Sequence, residues 1–158
     1  ALELLVERHE RRLYACALAL LGSRWDAGDA LQDALLEVCA KIGTLSDAGR
    51  FRPWVTRILI NKCYDSMRRR RREVTMAEVA AQEMMPDAQL DAEADYDLLA
   101  AVRALDEQRR LAIALRYFIG LDYQQIAQVT GWPLGSVKSR ISRALAHLHA
   151  TLQLDKEP

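Results

Sequence analysis

The segment LDYQQIAQVTGWPLGSVKSRISRALAHL, residues 121–148, carries the most specific local pattern in the chain. Asp122 and Gln125 have the spacing of a capping box, in which each side chain bonds the other residue's backbone N–H at the start of a helix. Gly131 can adopt the left-handed conformation that ends a helix, and Pro133 is tolerated in the first turn of the next. The segment therefore predicts a short helix, a tight turn and a longer helix, which together form a helix-turn-helix.

We predict the first of these helices over residues 123–129 and the second over residues 134–152. At about 100° per residue, the second helix has an apolar face and a polar face. The apolar face carries Val137, Ile141, Ala144 and Leu148. The polar face carries Gly135, Ser136, Ser139, Ser142 and Arg143, with Lys138 and Arg140 to either side. Small hydroxyl side chains let a helix approach base edges in the major groove of DNA, and the lateral cations can reach phosphates.

An ordinary surface helix with a polar face is the alternative interpretation. DNA binding is favoured by the complete set of cap, short helix, glycine turn and proline entrance. It is also favoured by the absence of any acidic residue between residues 134 and 154, because nothing on such a helix repels phosphate.

Net charge does not exclude a nucleic-acid partner, although the formal total is zero. Residues 1–73 carry 14 Lys and Arg against 10 Asp and Glu, and residues 101–158 carry 8 against 5. Residues 74–100 carry seven acids and no Lys or Arg. Two basic blocks therefore flank an acidic connector, and this asymmetry is informative even though the sum vanishes.

Apolar periodicity predicts helices along most of the chain, and strand signals are nearly absent. The helices ahead of the helix-turn-helix are predicted over residues 2–21, 27–42, 51–72, 96–105 and 107–119. Asp26 is the predicted cap of the second helix, and residues 43–49 are a predicted loop. The predicted fold is all-α, with two small helical domains at residues 1–73 and 96–158. An acidic linker at residues 74–95 joins them, with a solvated helical hairpin as the alternative for this stretch.

Several classes of protein are disfavoured by what the sequence lacks. Cys16, Cys39 and Cys63 are odd in number and far apart, which favours free thiols in a reducing cytoplasm over a disulfide framework. The longest apolar run, residues 13–21, is too short to span a bilayer, so we expect no membrane insertion. We also expect no metal, no cofactor and no catalytic residues, because no metal-ligand pair, glycine-rich phosphate loop or activated nucleophile is apparent.

The predicted third helix ends in five consecutive arginines, residues 68–72. An arc of about 80° on this helix carries Trp54, Ile58, Asn61, Asp65, Arg68 and Arg72. Such a line suits single-stranded or distorted DNA, because the ring can stack on a base, the amide can read its edge and the arginines can hold phosphate. The alternative is that Trp54 and Ile58 are core residues and Asn61 bonds a neighbouring helix. The five arginines surround the helix, so some of them must be solvated.

The predicted second helix carries an acidic, polar patch beside its apolar stripe. The patch consists of Asp29, Gln32 and Asp33. A solvated helix face is the ordinary explanation, and a docking surface for a basic protein partner is the more specific one.

Three segments, in this order, resemble motifs of the bacterial RNA polymerase sigma factors of the extracytoplasmic-function (ECF) group. DAGDALQDALLEV, residues 26–38, resembles the family's polymerase-docking segment. FRPWVTRILINKCYDSMRRRRR, residues 51–72, resembles the segment that recognises and melts the −10 promoter element. LRYFIGLDYQQIAQVTGWPLGSVKSRISRAL, residues 115–145, resembles the helix-turn-helix that reads the −35 element. Gly28 and Leu35 depart from the family pattern, which has an acid and an aromatic residue there, so the docking surface is expected to be retuned.

The resemblance implies an alternative sigma factor that binds core RNA polymerase, directs it to −35 and −10 elements and helps to melt the promoter. The implied partners are the β′ clamp helices and β flap of core polymerase, promoter DNA and an anti-sigma factor. The implied polymerase contacts are Asp29, Gln32 and Asp33. The implied −10 contacts are Trp54, Arg57, Asn61, Arg68 and Arg72, with loop residues 43–50 as a pocket for a flipped base. The implied −35 contacts are Arg116, Tyr123, Ser136, Lys138, Ser139, Arg140, Ser142 and Arg143.

Two other classes stay open on the residues alone. One is a stand-alone helix-turn-helix DNA-binding transcriptional regulator, which would bind duplex promoter DNA without polymerase. The other is an interaction adaptor whose basic patches serve protein or RNA. For the acidic linker, a further hypothesis is that its carboxylates occupy a channel of the polymerase otherwise used by RNA.

Overall fold

The computed structural model describes residues 2–73 and 93–154, and every regular element in these residues is helical. The helices are α1 (Leu2–Leu21), α2 (Arg24–Lys41), α3 (Phe51–Glu73), α4 (Glu93–Arg103), α5 (Glu107–Ile113), α6 (Tyr123–Thr130) and α7 (Leu134–Leu154). The prediction of an all-α fold that ends in a helix-turn-helix is confirmed. We call residues 2–73 the N-terminal module and residues 93–154 the C-terminal module. Most of the predicted linker, residues 74–92, lies outside the described residues.

Helices α1, α2 and α3 pack against one another to form the N-terminal module. Helix α2 begins at Arg24, three residues before its predicted start, and its N-cap is Ser23. The Ser23 hydroxyl accepts a hydrogen bond from the backbone N–H of Asp26 at 3.3 Å. The prediction that Asp26 caps this helix was therefore wrong. Both residue types cap helices well, and the serine comes first after the turn at Gly22, so the helix starts there.

The second half of α1 lies at the centre of the molecule. Every side chain from residue 16 to residue 21 is buried, so this half of the helix has no face toward solvent. A helix of this kind needs neighbours on all sides. Helices α2 and α3 cover part of it, and α4, α5 and the segment after α5 cover the rest. The two modules consequently share one continuous apolar core.

The predicted helix over residues 107–119 is α-helical only in its first half. After α5 it widens into a π-helical segment, Ala114–Ile119, which ends at Gly120. Gly120 has φ of +88°, and its N–H bonds the carbonyl oxygen of Leu115. A left-handed residue of this kind ends a helix at little cost only if it is glycine. Hydrophobic periodicity does not distinguish a π turn from an α turn over so short a segment.

The remaining boundaries lie close to their predicted positions. Helices α6 and α7 begin at the predicted residues and end one and two residues later than predicted. Helix α4 begins at Glu93, three residues earlier than predicted. Within the described part of the chain, no helix is both long enough and apolar enough to cross a membrane.

The three cysteines are free thiols in different surroundings. Cys16 and Cys63 are buried in the core, and Cys39 is exposed on α2. Burial raises the pKa of Cys16 and raises that of Cys63 to about 12. Because the thiolate is the reactive form, only Cys39 is available to reagents in the folded chain.

We expect His9 to make stability depend on pH between about 5.5 and 7.5. His9 is buried against Phe51, with ring centroids 5.4 Å apart. Burial, with smaller contributions from Arg52, Arg12 and Arg8, lowers its pKa below 6.5. The unfolded chain therefore binds a proton more readily than the folded chain, and the free energy of unfolding falls as pH drops through about 6.5.

Urea denaturation of the wild type and of His9→Gln at pH 7.5 and 5.5 measures this effect. The wild type should lose more stability than His9→Gln between the two pH values. Equal losses in the two proteins would contradict the assignment to His9.

Candidate functional surfaces

The helix-turn-helix is built by local contacts at its two ends. The backbone N–H of Gln125 donates to the Asp122 carboxylate at 2.8 Å, and the N–H of Asp122 donates to the Gln125 side chain at 3.0 Å. This is the predicted capping box. Gly131 ends α6 with φ of +78°, and its N–H bonds Ala127 at 2.8 Å. These contacts fix the angle at which α7 leaves the turn.

Helix α7 presents the predicted polar face to solvent. Its apolar face is buried at Val137, Ile141, Ala144 and Leu148. On the other side Lys138, Ser142 and Arg143 are exposed, and Ser136 and Ser139 are half-buried. The described residues therefore leave this face of α7 accessible along three turns, with small side chains in its middle. Its contacts with DNA remain predictions.

Arg140 differs from the other cations of α7 because it turns toward the protein. Its guanidinium carbon lies 4.3 Å from the centroid of the Trp132 ring, and its Nη1 is buried without a hydrogen-bond partner in the described residues. A guanidinium over an indole face is attracted by the ring and also packs on it. In the free chain, Arg140 therefore ties α7 to the turn before it.

Arg116, a predicted phosphate contact, also has an internal role. Its Nη1 donates to the carbonyl oxygen of Leu121 at 3.1 Å. Its guanidinium also lies 5.3 Å from the ring of Tyr123 and 5.9 Å from that of Tyr117. The side chain thus holds the turn between the π-helical segment and α6, and both tyrosine rings stay exposed beside it.

Helix α3 carries an exposed polar stripe below an apolar end. Arg57, Asn61, Arg68 and Arg72 are exposed along one side of the helix. Trp54 is half-buried, its ring centroid 6.0 Å from that of Phe51, and it packs against the core. Ile58 is buried at 8% exposure, so it belongs to the core. The predicted line therefore contains an amide and arginines that DNA can reach, beside a tryptophan that is only partly available for stacking.

Three of the five consecutive arginines contact carboxylates of the protein itself. Arg68 pairs with Asp65 on the same helix. Arg70 reaches Asp26 of α2 at 2.9 Å, and Arg71 reaches Glu107 of α5 at 3.6 Å. Exposed pairs of this kind are worth about 0–1 kcal/mol. Phosphate can therefore compete for these arginines, but it must displace a carboxylate to do so.

The predicted loop before α3 is more ordered than a flexible connection. It contains two 3₁₀ turns, Ile42–Thr44 and Ala48–Arg50. The Asp47 side chain caps the second turn by accepting from the N–H of Gly49 at 2.9 Å. Leu45 packs against the core between the turns. A loop held at both ends in this way can keep its exposed backbone in one position.

The exposed face of α2 contains more than the predicted acidic patch. Asp29, Gln32 and Asp33 are exposed, and neither aspartate has an ion-pair partner among the described residues. Trp25 and Leu36 lie on the same face, 73% and 64% exposed. Helix geometry places residues 25, 29, 32 and 36 within an arc of about 60°.

The sequence prediction missed Trp25 because it started α2 at residue 27, and a helical wheel from residue 24 would have found it. Leu35, which departs from the family pattern, is half-buried and packs against the core. The exposed apolar contact on this face therefore comes from its neighbour, Leu36.

Metal chemistry has no support in the described residues. They contain no group of three or more His, Cys, Asp or Glu side chains placed to hold a metal ion.

Comparison with known proteins identifies the family. Residues 5–73 match the family model for Sigma-70 region 2, and residues 96–148 match the model for Sigma-70, region 4. The ECF RNA polymerase sigma factor EcfG of Rhodopseudomonas palustris is 31% identical over 145 residues, which covers 90% of this chain and 80% of that protein. The chain belongs to the ECF RNA polymerase sigma factors. Members of this family are initiation factors and not enzymes, so the chain is not an enzyme.

Two further relatives of this ECF sigma factor show its extent and its fold. The ECF RNA polymerase sigma factor SigE of Mycolicibacterium smegmatis is 33% identical over 91% of this chain, which spans 58% of the length of SigE. The sigma factor RpoE of Bartonella quintana, solved in complex with the anti-sigma factor NepR, superposes with a TM-score of 0.83 at 28% identity. That superposition covers 98% of both chains.

We expect Arg140→Ala to destabilise the free protein and Arg143→Ala to leave its stability unchanged. Loss of the contact with Trp132 should lower the free energy of unfolding by about 0.5–2 kcal/mol. Arg143 is exposed, so its removal should change that free energy by less than about 0.5 kcal/mol. Urea denaturation without DNA measures both values. Equal effects of the two substitutions would show that Arg140 does not support the turn.

Proposed function

We propose that this chain is an alternative sigma factor that binds core RNA polymerase, directs it to −35 and −10 promoter elements and helps to melt the promoter. The observation that carries the proposal is the presence, in one chain, of two separate helix faces suited to DNA. The face of α3 carries Arg57, Asn61 and Arg68, and the face of α7 carries Lys138 and Arg143. The order of the two matched family models supports the same assignment.

In this proposal the N-terminal module binds the −10 element. Asn61 reads a base edge through its amide, and the exposed arginines of α3 hold the backbone phosphates. The ordered loop at residues 43–50 receives a flipped base, and the exposed part of the Trp54 ring supports it by stacking. Capture of unpaired bases stabilises the melted promoter, so opening needs no chemistry from this chain.

The C-terminal module binds the −35 element through α7. Ser136, Ser139 and Ser142 keep the middle of the helix low, so its backbone can lie deep in the major groove. Lys138 and Arg143 supply cations at the edges of the same face. In our proposal Arg140, Arg116 and Tyr123 contact phosphates after Arg140 and Arg116 give up part of their internal contacts.

Helix α2 supplies the surface for core polymerase. Asp29 and Asp33 offer carboxylates to basic side chains, and Gln32 offers an amide between them. Trp25 and Leu36 add exposed apolar area at the two ends of this patch, and large aromatic side chains dominate the energetics of many interfaces. We propose the β′ clamp helices as the partner of this surface and the β flap as a partner of the C-terminal module.

The other partners follow from the relatives. The Bartonella relative is in complex with an anti-sigma factor, and we propose that an anti-sigma factor also controls this chain. An initiation factor works where the polymerase is, so we place the chain in the cytoplasm. We retain the proposal that the acids of the linker occupy the RNA channel of the polymerase.

A stand-alone helix-turn-helix regulator is the second candidate function, and the comparisons do not favour it. Such a regulator has no use for the exposed α2 face or for a module that matches Sigma-70 region 2.

Asn61→Ala and Arg143→Ala should separate promoter opening from −35 binding. We expect Asn61→Ala to impair opening, because the amide is needed only for unpaired bases. We expect Arg143→Ala to weaken −35 binding by about 1–3 kcal/mol if it contacts a base. In-vitro transcription with sigma-free core polymerase and a promoter library, followed by permanganate footprinting, measures both steps. Absence of specific initiation by the wild type would contradict the proposed function, and equal effects of both variants on −35 duplex binding would contradict the division of roles.

Trp25→Ala should weaken binding to core polymerase by roughly tenfold or more, because it removes a large aromatic side chain from the proposed interface. Trp25 is largely exposed, so the free chain should remain folded. Leu4→Ala is the matched control, since Leu4 is 69% exposed on α1, away from this face. Titration of immobilised core polymerase gives both affinities. A Trp25→Ala affinity equal to that of Leu4→Ala would remove Trp25 from the interface.

A further inference from the structure

One buried arginine joins the two modules in addition to their shared apolar core. Arg103 is the last residue of α4, and its Nη1 donates hydrogen bonds to the backbone oxygens of Ala19 at 3.1 Å and Leu20 at 2.7 Å. These oxygens belong to the last turn of α1, whose carbonyls have no partner within the helix. The cation also meets the negative end of the helix dipole there. We call the contact of Arg103 with these two carbonyls the clasp.

A glycine makes room for the clasp. Gly22 has φ of +75°, and a Cβ at this position would lie 2.6 Å from Nε of Arg103. A larger residue would be strained and would displace the guanidinium. Burial, with smaller contributions from Arg110 and Arg70, lowers the pKa of Arg103 to about 10. The group is therefore still cationic at neutral pH.

A second arginine fixes the position from which Arg103 reaches α1. Nη2 of Arg110 donates to the carbonyl oxygens of Arg103 at 2.8 Å and Leu105 at 2.7 Å. The end of α4 is thus held against α5. Nearby, Arg71 of α3 pairs with Glu107 of α5 at 3.6 Å and adds a more exposed link between the modules.

A closed chain is too small for the function proposed above. The two promoter elements lie about 25 base pairs apart, which is about 85 Å of B-form DNA at about 3.4 Å per base pair. A compact chain of 158 residues has a radius of gyration of only about 15 Å. The faces of α3 and α7 can therefore meet both elements only if the modules separate. The intervening residues, 74–92, are numerous enough to span about 65 Å when extended.

We propose that the clasp is an autoinhibitory contact, which holds the two modules together until core polymerase separates them. The inference rests on the proposed function. In the closed form the chain cannot engage both promoter elements at once. The free energy of opening then lowers the apparent affinity for core polymerase, because only the open fraction can bind productively.

Arg103→Ala tests the clasp directly. It should increase the radius of gyration of the free chain measured by small-angle X-ray scattering. It should also tighten binding to immobilised core polymerase by about tenfold, since two charge-assisted hydrogen bonds no longer favour the closed form. Arg109→Ala is the matched control, because Arg109 pairs with Asp106 within the C-terminal module at 3.4 Å. The control should change neither quantity.

A reversible cross-link tests the same point from the other direction. Arg71→Cys and Glu107→Cys, combined with Cys39→Ser, place two accessible thiols on opposite modules while Cys16 and Cys63 stay buried. A thiol-cleavable bismaleimide then locks the chain closed. Initiation with core polymerase should be lost in the locked chain and recovered when the linker is cleaved.

The outcomes distinguish the clasp from the proposed function. The clasp is overturned if folded Arg103→Ala stays compact and binds core polymerase no more tightly than the wild type. It is also overturned if the locked chain initiates as well as the cleaved chain. Should Arg103→Ala fail to fold, the cross-link decides alone. Failure of the wild type to initiate contradicts the proposed function instead, and the scattering comparison still tests whether Arg103 holds the modules together.

Discussion

The burial of α1 on every side is the constraint on which the rest of the structure depends. Six consecutive side chains, from Cys16 to Leu21, are buried, and α2 and α3 cover only part of the circumference. The C-terminal module supplies the remaining cover, so its position follows from the composition of α1. Apolar burial is non-directional and would tolerate several arrangements of the modules. The hydrogen bonds from Arg103 are directional, and they determine which turn of α1 meets α4.

Part of this arrangement is readable in the sequence and part is not. The helix-turn-helix is predictable almost residue by residue, because the capping box at Asp122 and the left-handed turn at Gly131 are local signals. The apolar run at residues 13–21 excludes a membrane span, and the same run also predicts a helix without a solvent face. The clasp has no such signal: Arg103 and Ala19 are 84 residues apart, and nothing local marks a carbonyl at a helix end as the acceptor of a distant arginine.

The candidate site divides in the same way. Periodicity predicts which side of a helix is polar, but it does not determine whether a cation at the edge of that side turns outward or inward. Arg143 stays exposed, whereas Arg140 lies on the ring of Trp132. An arginine has a long apolar stem and a planar head, so packing on an aromatic ring competes with hydration. Trp25 was missed for a different reason, since an error of three residues in a helix start removed it from the face to which it belongs.

Separation of the modules also changes the charge that the chain offers to DNA. Arg71 is paired with Glu107 of the other module, whereas Arg70 is paired with Asp26 of its own. Opening therefore removes the partner of Arg71 and leaves that of Arg70 in place. Each additional cation that contacts a phosphate releases a counterion and steepens the salt dependence of binding by roughly one unit. The closed chain is consequently a weaker DNA binder for two reasons: its two recognition faces cannot reach both elements, and one cation of the N-terminal module is still held by the C-terminal module.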